Sequence, residues 1–277
     1  MSSVMISTRS FTPAQGIASG VAERLGLSLI NDSLYQAAAE RFGVPDRQLR
    51  RAFEKGPSLV GMQSARRRRL ASCVEAELSS RFARGAAVYE GPFAALRLRG
   101  VAHILKVRVT AGLAERIGAA QRQGVARNAA ARRVRSSDGA ARQIAWAIFG
   151  REDMDSDYDL VVNLADASEA EAIDSIVETA MCPAYRSTSF SRRCLHDLEL
   201  ANTAAARLAC ELGVDVEAEL HEGVLRVRAE ASERRREHIQ KKVESIATEL
   251  TDIRRVEVRV VDCWLRPLPN TRREDAP

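Results

Sequence analysis

The chain has 277 residues, of which 45% are hydrophobic, 29% charged and only 5% aromatic. That length accommodates two domains, with cores built mainly from Ala, Val, Leu and Ile. A net charge of +5 is too mild for a nucleic-acid surface unless it clusters on one element, and five scattered cysteines without a C-x-x-C pair exclude a disulfide scaffold and, with four scattered histidines, give no metal framework.

Val4 to Thr8 reads as a buried strand. The helix expected over 14–25 is closed by Gly26, a left-handed stop. Leu27 to Ile30 is a second short strand, followed by a capping cluster, Asn31-Asp32-Ser33. Helices are expected over 33–42, 46–54 and 62–83. Strands follow at Ala86–Gly91 and His103–Val109, then helices over 112–120, 126–135 and 138–149. Tyr158–Leu164 is a strand, and Ser168 caps a helix over 168–180 with Glu169 and Glu171 in its first turn. Apolar strands alternating with longer helices predict a parallel sheet covered on both faces, a three-layer α/β domain over 1–181.

Residues 182–191 read as a Pro- and Ser-containing linker. Beyond it the rhythm changes. A helix to residue 212 precedes two strands that alternate apolar and polar, Val214–Leu220 and Val224–Glu230, joined at His221-Glu222-Gly223. A charged helix over 232–250 and a third alternating strand, Arg254–Asp262, complete an α-β-β-α-β order. This predicts a small α+β domain over 192–263 and a loose tail over 264–277. No basic segment precedes a sustained apolar one at the N-terminus, and no run approaches membrane-spanning length, so a cytoplasmic chain with reduced thiols and no transmembrane segment is expected. One basic run, Arg66 to Arg69, reads as a solvated turn of helix or as a docking patch for an acidic partner or for phosphates.

The strand–loop–helix at the start, "VMISTRSFTPAQGIASGVAERLG", is where a phosphate-binding loop would sit. In order and spacing, residues 1–181 resemble the cytidylate-kinase-like branch of the P-loop nucleoside monophosphate kinases. "MIS" and "AERLG" match that family's "ITIS" and "AEKLG". "VYEGPFA" stands for "VIVGRGA", "ILKVRVTAG" for "VLHVFIYAP", and "YDLVVNL" for "YDLVINT". The resemblance implies a nucleotide site. Its phosphate loop falls on Thr8, Thr12, Pro13, Ala14, Gln15 and Gly16. Lid positions fall on Arg116, Arg132, Arg135, Asp138 and Arg142, and acceptor-site positions on Asp32 and Gly91.

The chain departs from the family at the chemistry. Such a loop aims successive backbone N–H groups at an anion, with glycines allowing the turn. Here "GSGG" becomes Phe11-Thr12-Pro13-Ala14, so Pro13 removes a donor and Phe11 adds bulk. The basic neighbour becomes Gln15, the first lysine is Lys55, and "GRG" becomes Gly91-Pro92-Phe93 without its arginine. The lid aspartate, usually followed three residues later by arginine, has Arg142 four away. Phosphoryl transfer rests almost wholly on positioning and charge neutralisation. The expectation is a ligand- or nucleotide-binding sensor or adaptor that has lost efficient transfer, with no catalytic residue and no metal site assigned. Two alternatives stand. One is an active nucleoside monophosphate (CMP) kinase using ATP and magnesium. The other is a scaffold that binds no nucleotide, its cleft filled by Phe11, Phe93 or leucines.

Residues 192–262 are similar to a BON domain in their strand, glycine turn, strand, helix and final strand, with Gly223 and Val256 in place. The glycine usual after the second strand is replaced near Arg228. That resemblance implies contact with a protein or an anionic lipid surface. The basic residues on the helix over 232–250 are interleaved with Glu233, Glu237, Glu244 and Glu249, which also fits a solvated face.

Overall fold

A computed structural model of the chain describes residues 2–54, 62–94, 98 and 100–261. Lys55, Cys263, Trp264 and the tail expected over 264–277 lie outside the described residues. Five strands, β1 (Ser3–Thr8), β2 (Ser28–Ile30), β3 (Ala87–Glu90), β4 (Ile104–Thr110) and β5 (Leu160–Asn163), form a parallel sheet in the order β2-β3-β1-β4-β5. Side-chain alternation sorts the sheet into two faces. Val4, Ile6, Leu105, Val107 and Val109 pack under α1 (Ile17–Leu25) and α7 (Glu169–Met181). Met5, Tyr89 and Ile104 pack against α2 (Ser33–Phe42), α3 (Asp46–Glu54), α4 (Met62–Arg84) and α6 (Arg127–Phe149). The result is a three-layer α/β unit, as the alternation of strand and helix predicts.

Local signals account for most element ends. Gly26 closes α1 at φ 64°, its N–H reaching the carbonyls of Ala22 and Glu23. Ser168 and Glu171 form a reciprocal capping box on α7. In the Asn31-Asp32-Ser33 cluster it is Asn31 that accepts, from the Ser33 N–H at 3.2 Å. Two expectations change. The helices expected over 126–135 and 138–149 are one continuous α6, because Asp138 does not cap a new helix; its carboxylate is held by Arg116 on α5 (Leu113–Arg122). The first helix starts at Ile17 rather than at 14, because residues 12–16 are folded into turns.

The second unit is a three-stranded sheet, β6 (Asp215–His221), β7 (Val224–Glu230) and β8 (Arg255–Val261), with β7 central, antiparallel to β6 and parallel to β8. Glu222 and Gly223, both at positive φ, make the two-residue turn between β6 and β7. One sheet face packs on α8 (Ser189–Leu212) and α9 (Arg236–Glu249) through Leu208, Leu225, Val227, Ile239 and Val243. α8 begins at Ser189, inside the span 182–191 expected as linker, because Thr188 and Ser191 cap each other there. This helix belongs to both cores. Leu195 and Ala206 join the hydrophobic cluster beneath the five-stranded sheet, while Ala204, Leu208 and Leu212 join that of the second unit.

The arginine run also lies at this junction. Arg67 is buried and donates to the Ala52 carbonyl at 2.8 Å. Arg68 pairs with Asp215 of β6 and, at 3.7 Å, with Glu230 of β7. Arg69 donates to the Gly213 carbonyl, and Arg66 to Gln48 at 2.8 Å. The acidic partner of this run is thus the chain's own second unit.

Candidate functional site

In open parallel sheets, ligands bind outside the carboxyl ends of the strands where strand order reverses. Here the crossover after β1 runs to β2 on one side, and the chain returns through β3 to β4 on the other. A cleft of about 960 Å³ opens at that end. Its walls include Ser7 and Thr8 at the end of β1, Arg9 and Ser10 just after it, Pro92 and Phe93 after β3, Arg108 of β4, one side of α6, and residues 152–156.

The loop after β1 holds its own donors. The Thr12 N–H reaches the Arg9 carbonyl at 3.0 Å, and the Ala14 N–H reaches the Thr12 carbonyl at 2.9 Å. Pro13 has no N–H, so three consecutive positions aim none at a ligand. The Thr12 hydroxyl is buried and has no hydrogen-bond partner among the described residues. Phe11 sits at φ 62° and leans on Ala120, Ala130 and Val134 in the α5–α6 pair, not into the cleft. Gly16 precedes α1, and a carboxylate oxygen of Glu169 lies 3.2 Å from where a β-carbon at Gly16 would stand. A helix N-terminus favours negative charge, and this one has the chain's own.

Of the expected lid residues, Arg116 and Asp138 come together. Arg116 is 4% exposed, grips Asp138 through two bonds of 3.1 and 2.5 Å, and donates from Nε to the Ser10 carbonyl at 2.9 Å. It fastens the α5–α6 pair onto the loop. Asp138 and Arg142 line the cleft, as does Thr8; Arg132 and Arg135 are exposed and do not. The α6 face turned inward carries Arg133, Ser137, Ala140, Ala141 and Ile144. That i, i+3/i+4 spacing was the signal that selects Arg133 over its neighbours.

On the acceptor side, Asp32 pairs with Arg50 at 3.0 Å and lies outside the cleft walls, as does Gly91. Gly91 is required where it stands, since a β-carbon there would meet the Tyr89 hydroxyl at 2.1 Å; its N–H donates to the Ile6 carbonyl at 3.0 Å. Partial desolvation, and then the charge of Asp32, push the Glu90 carboxyl upward. Phe93, at φ 60°, is buried against Phe149 with ring centroids 5.9 Å apart.

The floor of the cleft lay outside the sequence expectations. Arg108 is 4% exposed and pairs with Asp153 at 2.6 Å and Asp155 at 3.5 Å. Its guanidinium lies 4.2 Å from the Tyr158 ring centroid, and Tyr158 donates to Asp153 at 2.9 Å. Burial, above all, holds the Tyr158 phenol above its ordinary range, so it stays a donor. Arg9 closes the cluster on Asp155 at 3.2 Å. An arginine between Val107 and Val109 in a buried strand is the sequence signal for this floor.

Magnesium, which the kinase alternative needs, fits this donor set poorly. Gly16 brings no hydroxyl, and the nearby Asp153 and Asp155 carboxylates face Arg108 and Arg9. Among the described residues, no group of three or more His, Cys, Asp or Glu could hold a metal ion, and no helix is long and apolar enough to cross a membrane.

A sequence profile of the Cytidylate kinase-like family matches residues 4–166. No curated protein matches the chain. Among the solved structures that match is the crystal structure of an uncharacterized protein from Eubacterium ventriosum ATCC 27560. It is 14% identical over 65% of this chain and 98% of its own, with a TM-score of 0.49.

Proposed function

The chain belongs to the cytidylate kinase-like family, and on that premise we propose that it holds a nucleotide or another small anionic ligand in the cleft without efficient phosphoryl transfer. It acts as a sensor or adaptor. The observation that carries this reading is how the cleft's charges are used. Arg9, Arg108 and Arg116 are each paired with carboxylates. Arg133 and Arg142 line the cleft from α6 with no carboxylate partner among the described residues, which leaves two cations for an anion. Fast transfer asks for a loop whose N–H groups and charges are already aimed at the phosphates. The inward hydrogen bonds of Thr12 and Ala14 argue against that.

The C-terminal unit, BON-like in its rhythm, is the proposed output module, meeting a protein or anionic-lipid partner. α8, packed into both cores, supports such coupling. Calorimetry with ATP, CMP and both together, beside a coupled assay for ADP, tests the proposal. The expected result is binding without CMP-dependent ADP, weakened at least tenfold, about 1.4 kcal/mol, by Arg133→Ala with Arg142→Ala. CMP-dependent ADP formation would establish the active kinase instead. No binding of either nucleotide would leave the scaffold.

A further inference from the structure

Cys73 of α4 and Cys210 of α8 are 137 positions apart in the chain, yet their sulfurs stand 3.4 Å apart at the helix interface. A disulfide needs about 2.05 Å between sulfurs. The remaining gap closes by side-chain rotation and a small shift of the packed helices. The two thiols differ in access. Cys73 is wholly buried, whereas Cys210 is exposed. We propose that this pair is an oxidative modification site, in which a peroxide oxidises Cys210 and Cys73 then closes an intramolecular disulfide that ties α4 to α8.

The Cys210 thiolate attacks one peroxide oxygen and the O–O bond breaks. This leaves a sulfenic acid on Cys210, and the departing oxygen takes a proton to leave as water or an alcohol. The Cys73 sulfur then displaces the sulfenic oxygen, which leaves as water with the Cys73 proton. Two thiols and one peroxide give one disulfide, one water and one water or alcohol. The surroundings favour that order. The Cys210 thiol is held below its ordinary range by the hydrogen bond from Cys73 and by the nearby Arg69 cation, against the opposing effect of burial. Cys73 is pushed up by the shared hydrogen bond and by burial.

The test uses the full chain with Cys182, Cys194 and Cys263 changed to serine, treated with hydrogen peroxide. Thiols are counted in denaturant, intact mass is measured, and a non-reducing digest is mapped. The expected result is monomeric protein whose titratable thiols fall from two to none. Its mass drops by about 2 Da, a peptide joins residues 73 and 210, and dithiothreitol reverses all three. Adding Cys73→Ser should leave Cys210 with an oxygen adduct of about 16 Da and no link. The proposal is overturned if both thiols survive, if each gains oxygen separately, or if the link joins two chains. The same digest on the unaltered chain guards against a misfolded variant: a 73–210 peptide supports the proposal, and its absence overturns it.

Discussion

Phe11 and Phe93 hold φ angles of 62° and 60°, a left-handed backbone that costs an L side chain roughly 1–2 kcal/mol. Each stands where the resemblance to the kinase family places a glycine, the first of "GSGG" and the second of "GRG". Apolar burial offsets the strain. Phe11 packs on Ala120, Ala130 and Val134, and Phe93 on Phe149. The loop backbone therefore need not be rebuilt for glycine to return at position 11. Phe11→Gly combined with Pro13→Gly restores an N–H at 13 and frees the loop backbone at 11 from its anchor on the α5–α6 pair. The double variant should bind ATP at least tenfold more tightly than the parent by calorimetry. Unchanged affinity would mean that the loop donors do not limit binding. The single Phe11→Gly change loses half-buried ring area but relieves strain, so its stability should change by less than about 2 kcal/mol in urea unfolding.

At the scale of elements, α4 decides how the two units meet, and Arg68 is its main polar contact. The ion pairs with Asp215 and Glu230 leave the Arg68 side chain 18% exposed and the carboxylates 8% and 12%. Removing one partner of such a cluster strands the other charges away from water. Arg68→Ala should therefore lower stability by about 3 kcal/mol. Arg66→Ala, which gives up an exposed bond to Gln48, should cost under about 0.5 kcal/mol, and urea titration separates the two. Before the structure, the run looked alike from Arg66 to Arg69, because charge alone does not say which side of a helix is covered. The positions of strands and helices along the chain were legible because apolar periodicity and glycine stops act within a few residues, whereas the sheet order β2-β3-β1-β4-β5 was not. The break expected between residues 135 and 138 does not exist in α6: Ser136, Ser137 and Asp138 resemble a cap, but Arg116, which occupies Asp138, comes 22 residues earlier. For the same reason the cleft floor was hidden: Arg108 and Asp153 meet through sheet geometry 45 positions apart.

Across the whole molecule, α8 is the shared part. Leu195 and Ala206 on one side and Leu208 and Leu212 on another bury into different hydrophobic clusters, so neither cluster is complete without it. The chain should then unfold in one cooperative transition, with coincident far-UV circular dichroism and calorimetric melts and equal calorimetric and van't Hoff enthalpies. Two resolved transitions would show that the units are independent. The shared helix also sets a schedule for synthesis. A ribosome that has made α7, ending at Met181, must still make 31 residues to reach Leu212 at the end of α8. At about 5–20 residues per second, that takes about 1.5–6 s. Throughout that interval the nascent parallel-sheet unit has every strand it needs but lacks the helix that seals one flank of its core, and that is when a chaperone has a reason to hold it.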